Sequence, residues 1–175
     1  MKTAPCLLPT TIRTAVADDA SGIARTLVES GEHHANLDPE RYSVPAVDEI
    51  SARYRDGRQH PPDAREGCIT LIAECDGNIV GFVDAHLDRS PDPMHRDILY
   101  CHISEIAVDS RYRSQGIGRS LLRASEDWGR RMGAEFASLE VHVANTRASN
   151  LYHRMGYSAA SITGIKRLGA ADVDS

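Results

Sequence analysis

No apolar stretch longer than a few residues occurs in this 175-residue chain, so no segment can cross a bilayer as a helix. An excess of positive charge is missing as well. Against 25 Asp and Glu stand 20 Lys and Arg, a formal charge of −5. That balance counts against nucleic acid as the main partner, because phosphate affinity comes largely from clustered cations. The four cysteines, at 6, 68, 75 and 101, form no C-x-x-C pair. Neither a disulfide framework nor a zinc ribbon is expected from them, and they read as buried thiols of a reducing cytoplasm. Residues 1–12 lack the apolar run of a secretory leader. Internal repeats are absent, and so is the G-x-S-x-G elbow of a serine hydrolase. Eight histidines are present, but H-E-x-x-H is not. The adjacent His33 and His34 would point about 100° apart on a helix, so no metal site is expected.

What remains is the composition of a globular protein, 41% apolar and 26% charged, at the length of one domain. The expected layout is a loose lead-in over 1–10, one domain over 11–168 and a tail over 169–175. Thr11 to Val16 reads as a strand, and Asp18-Asp19 then opens a helix from Ala20 to His34 with Ile23, Leu27 and Val28 on one side. A second, short helix is expected over Val47 to Tyr54. Cys68 to Glu74 and Ile79 to His86 flank Asp76-Gly77-Asn78, a hairpin pattern. Ile98 to Val108 follows as a long strand, and a glycine-containing turn then leads into a helix whose Ile117, Leu121, Leu122, Trp128 and Met132 share a face. Gly133 is placed to stop it. Phe136 to Val143 alternates as a strand, Thr146 to Met155 is a short helix, and Tyr157 to Leu168 is β-like.

Chemistry concentrates in Ser104 to Gly118, where a strand feeds a turn that opens a helix with glycine at 116 and 118. A helix start exposes unpaired N–H groups and carries about half a positive charge, and glycine lets an anion approach the backbone. The stretch is not a Walker loop, because Gly118-Arg119-Ser120 lacks the lysine. It is not a dinucleotide fingerprint, because Leu121 stands where a third glycine is needed.

Arg113 to Gly118 resembles the Q/R-x-x-G-x-G/A signature of the GNAT acetyltransferases, and the strand ending Ile106-Ala107-Val108 precedes it as in that family. Asn145 to Tyr157 resembles the second marker of the family, N-x-x-A-x-x-L-Y-x-x-x-G-F/Y. The resemblance implies an α/β fold with a mixed, mostly antiparallel central sheet flanked by helices. It also implies transfer of an acetyl group from acetyl-CoA to a primary amine of a small molecule or protein, by direct attack in a ternary complex. A non-catalytic acetyl-CoA-binding module is the alternative. Arg113, Ser114, Gln115, Gly116, Ile117 and Gly118 would cradle the pyrophosphate, with Ser120 adding a hydroxyl. Ile106, Ala107 and Val108 would pair with the pantetheine arm, and Asn145 would contact it. Tyr152 matches the position of the acid that protonates the leaving thiolate. Glu105 is the candidate base, with His102, His142 or a water chain as rivals. Glu32, His33 and His34, at the end of the first helix, are expected to line the acceptor pocket. Only a dozen residues follow the second marker before the tail, so the acceptor side is expected to be open or completed by a second copy in a homodimer.

Overall fold

The computed structural model describes residues 9–56, 66–89, 94 and 96–167. The lead-in up to residue 8 (with Cys6), most of the loop after residue 56 and the tail from Leu168 lie outside the described residues. Strands β1 (Thr11–Thr14), β2 (Cys68–Cys75), β3 (Asn78–Arg89), β4 (Leu99–Val108) and β5 (Phe136–Leu139) form one sheet in that order. The first four run antiparallel as a meander, and β5 joins β4 in parallel. A parallel neighbour needs a crossover, which α3 (Ile117–Arg131) supplies. Helices α1 (Ala20–Leu37) and α2 (Val47–Arg55) cover one face, and α4 (Thr146–Arg154) follows β5.

Each face has its own core, because side chains alternate along the strands. Ile72, Phe82 and Ala107 meet Ile23, Ala24, Ile50 and Tyr54 of α1 and α2. On the other face Val80, Val83, Ala85 and Ile103 meet Leu121, Leu122 and Trp128 of α3. The latter contact is close enough to need glycine: a Cβ on Gly129 would lie 2.4 Å from Cys101 Cβ. Glycine-to-alanine in a helix interior ordinarily stabilises. Gly129→Ala should do the reverse, losing about 1–3 kcal/mol to overpacking in urea titration; a stabilised variant would show that α3 does not dock this closely.

At the start of the chain Arg13 holds Asp19 at 2.7 Å and Glu74 at 2.9 Å, tying β1 to the turn before α1 and to β2. Burial pushes the Asp19 carboxyl up, but the hydrogen bonds from Arg13 and Val16 outweigh it and hold it below its usual range.

Two expected strands are corrected. The strand read over Phe136 to Val143 ends at Leu139, because the chain from Glu140 onward leaves β4. The β-like pattern from Tyr157 is unstructured as far as residue 167. Tyr157 instead turns inward, its N–H donating to the Tyr152 carbonyl at 3.0 Å and its hydroxyl to Glu126 at 2.9 Å. Ile162 and Ile165 beyond it are exposed, so the alternation there finds no strand partner. Cys101 is a buried thiol, whereas Cys75 is disulfide-bonded, which corrects the expectation that the cysteines are all thiols.

Candidate active site

The site follows from where β4 and β5 part. Their pairing runs from Tyr100 opposite Phe136 to Ile103 opposite Leu139 and stops. Beyond it Glu105 to Val108 continue β4 with β3 on one side and, among the described residues, no strand on the other. A cleft of about 900 Å³ opens there, and Ile103 to Val108, Leu139 to Val141, Asn145 and Tyr152 line it.

One end of the cleft is the turn before α3. Ser114 and Gly116 both have positive φ, 67° and 85°. Left-handed residues in such a turn aim successive N–H groups to one side. No side chain caps α3, and its first intrahelical bond runs from the Ser120 N–H to the Gly116 carbonyl. The leading N–H groups therefore face the cleft without a helical partner. An added Cβ on Gly116 would have nothing within 4 Å, so the space above the turn is open. Arg119, Arg147 and Arg154 line the same cleft. This is a seat for a polyanion, and a pyrophosphate with an extended arm along the unpaired β4 edge fits the residues present.

Several expected contacts take a particular form. The Arg113 guanidinium turns into the protein, donating to the Val108 carbonyl at 2.9 Å and to Glu29 at 3.3 Å. Glu29 also accepts from the Ser110 N–H at 2.9 Å, so α1 braces the turn from behind. Ser114 accepts from Arg147 at 3.2 Å. Asn145 caps α4, its side-chain oxygen accepting from the Ala148 N–H at 3.2 Å. Gln115 and Ser120, also expected in the cradle, are exposed at this turn.

Further along, Glu105 and Tyr152 face the same cavity. Among the described residues neither side chain has a hydrogen-bond or ion-pair partner. Burial and then the nearby Asp84 push the Glu105 carboxyl up to about 7. Burial and then Glu105 push the Tyr152 phenol up to about 12. A carboxyl raised toward neutrality and a phenol raised above its usual range in one cavity mark this part of the cleft as a candidate for proton transfer.

The far end is built by α1 and α2. His33 and His34 line this end, and Glu32 lies along a neighbouring groove that His33 also borders. Successive helical residues are about 100° apart, so Glu32 could not share the face of His34. Tyr42, Pro45, Ile50 and Arg53, which no motif marked, complete this end. Of the rival bases, His142 lies 3.6 Å from Asp38 with its ring against Tyr42, and His102 bonds Ser138 at 3.0 Å on the paired part of β4. Neither ring lines the cleft. No group of three metal-ligating side chains occurs among the described residues, and no helix among them is long and apolar enough to cross a membrane.

Residues 36–157 match the model of the acetyltransferase (GNAT) family. The chain belongs to that family. An N-alpha-acetyltransferase of Sulfurisphaera tokodaii is 33% identical over 100 residues, covering 53% of this chain and 58% of that protein. An N-acetyltransferase of Methanocaldococcus jannaschii, described as uncharacterized, is 33% identical over 87 residues, 49% of this chain and 50% of that one. This chain thus spans about half the length of the curated relatives it matches. Among solved structures, a mutant of the BH1408 protein from Bacillus halodurans superposes with a TM-score of 0.80 at 24% identity, over 90% of this chain and 99% of that one. The aminoglycoside N-acetyltransferase AAC(6')-Iy in complex with CoA does so with 0.69 at 17%, over 95% and 99%. At these identities the structures establish the GNAT fold.

Proposed function

We propose that this GNAT protein moves an acetyl group from acetyl-CoA to a primary amine by direct attack in a ternary complex. The observation that carries it is one continuous cleft. In it the uncapped turn at α3 and the unpaired edge of β4 lead to an unpartnered Glu105 and Tyr152. The turn takes the pyrophosphate through backbone N–H groups of Gly116 to Gly118, and the edge from Ile106 to Val108 takes the pantetheine arm. Glu105 accepts the proton from the attacking nitrogen, directly or through water. A backbone N–H at Ile106 or Ala107 donates to the carbonyl oxygen as its charge grows. As the carbon–sulfur bond breaks, the Tyr152 hydroxyl gives its proton to the thiolate.

The acceptor is a small molecule or a protein amine, received between α1, α2 and the segment after β5. One domain over 11–168 does this work, in the cytoplasm. A homodimer is supported by the edge position of β5 among the described strands and by the exposed Phe136, Val143 and Ile162 in and after it. Sedimentation that stays monomeric at every concentration would remove that assembly.

The test is calorimetric titration with acetyl-CoA followed by free-thiol release over a panel of amines. The proposal expects binding and thiol release that depends on the amine. Binding with no release from any amine would leave a non-catalytic acetyl-CoA module. No binding to the folded protein would remove the transferase.

A further inference from the structure

We infer that Asp84 is a positioning residue for this site, a second, buried carboxylate that sets where Glu105 exchanges its proton. The inference rests on the proposed acetyl transfer only for its kinetic readout.

Asp84 sits in the middle of β3 and is fully buried. Its neighbours on that face, Phe82 and Ile72, are apolar. A carboxylate in such a place is costly unless its oxygens are satisfied. Both are. The Thr70 hydroxyl on β2 donates to one at 2.6 Å, and the Tyr54 hydroxyl on α2 donates to the other at 2.5 Å. Two hydroxyls satisfy an anion without neutralising it, and no cation forms an ion pair with Asp84 among the described residues. Its charge is left to act on whatever lies next to it.

The strand register puts Glu105 there. Asp84 lies opposite Glu105, while the next residue, Ala85, lies opposite Ile103, so Ser104 is an extra residue on β4. This bulge breaks the alternation of β4. Ile103 stays in the α3 core opposite Ala85, and Glu105 emerges on the opposite face, beside Asp84. The Ser104 hydroxyl donates to the Asp84 carbonyl at 3.4 Å. In a regular strand Glu105 would share the face of Ile103 and the two carboxylates would be separated by the sheet.

Other groups around the pair are Arg53 and Tyr54 from α2, Tyr152 from α4, His33 and His34 from α1, and His86 and His102 further along β3 and β4. Arg53 is exposed and pairs with neither carboxylate among the described residues. Burial pushes Asp84 up to about 6, against its two hydroxyl bonds. Two carboxyls this close titrate as a pair. Burial raises the Glu105 carboxyl first, and a charge on the neighbouring Asp84 raises it further.

The experiment is a carboxyl ¹³C NMR titration of the full chain, with the Glu105 signal assigned through Glu105→Gln, on parent and Asp84→Asn. The parent should show Glu105 titrating near neutrality, with a second inflection from Asp84. In Asp84→Asn the Glu105 midpoint should fall by about one pH unit or more, and the low-pH limb of kcat/KM should follow it. Unchanged acetyl-CoA affinity would separate this from a general loss of structure. A parent Glu105 that titrates in one step at an ordinary carboxylate value overturns the inference and needs no variant to fold. So does a folded Asp84→Asn whose Glu105 midpoint does not move. If the midpoint moves as expected but no amine is acetylated, the pair stands and the proposed reaction falls.

Discussion

Gly116→Glu is expected to weaken acetyl-CoA binding by at least about 10²-fold in calorimetry, the equivalent of about 2.8 kcal/mol, while the protein stays folded. The reason is local. Gly116 has φ of 85° and no heavy atom within 4 Å of where a Cβ would go. A Cβ there meets no obstacle among the described residues, and its cost to the fold is the left-handed conformation, about 1–2 kcal/mol. The new carboxylate would occupy the anion seat made by the first turn of α3 and would repel a pyrophosphate. Gly116→Ala separates the two effects, since it carries the same backbone strain without the charge. Alanine should keep most of the affinity, and glutamate should lose it. Equal loss in both would assign the effect to the distorted turn, and equal retention would place the cofactor elsewhere.

The turn could be found in the sequence because its elements are local. Strand, left-handed residues and helix start fall within Ser104 to Gly118, although Glu29 and Arg147 brace the turn from elsewhere in the chain. The same holds for α3, whose apolar positions repeat on one face, and for the hairpin at Asp76-Gly77. The outer strands were less legible. Tyr157 to Leu168 alternates like a strand, but a strand exists only where a neighbour offers its edge, and alternation says nothing of the neighbour. The Ser104 bulge is invisible for the same reason, because it is a property of the register between β3 and β4. Asp84, Thr70 and Tyr54 are brought together from three elements, so no spacing could mark them. Adjacency likewise says nothing of helical phase: Glu32 borders a neighbouring groove, whereas His34, about 200° away around α1, lines the cleft.

Glu105→Gln should lower kcat by about 10²–10⁴-fold with little change in acetyl-CoA affinity, since in the proposed complex the turn and the β4 backbone hold the cofactor. The pH profile gives the sharper distinction. A base must be unprotonated to act, and burial with Asp84 nearby pushes Glu105 up to about 7. The rate of the parent should therefore fall as pH drops through about 7, and the limb should vanish in Glu105→Gln. Tyr152 must keep its proton to act as an acid, and burial with Glu105 nearby pushes it up to about 12. Its loss of function should begin only at strongly alkaline pH, so Tyr152→Phe should lower kcat across the whole working range while preserving the limb near 7. The two variants thus make opposite claims about the same limb. A Glu105→Gln enzyme that keeps it would pass the base to a water chain or to the amine's own ionisation. A Tyr152→Phe enzyme with parental kcat would leave the thiolate to depart unassisted.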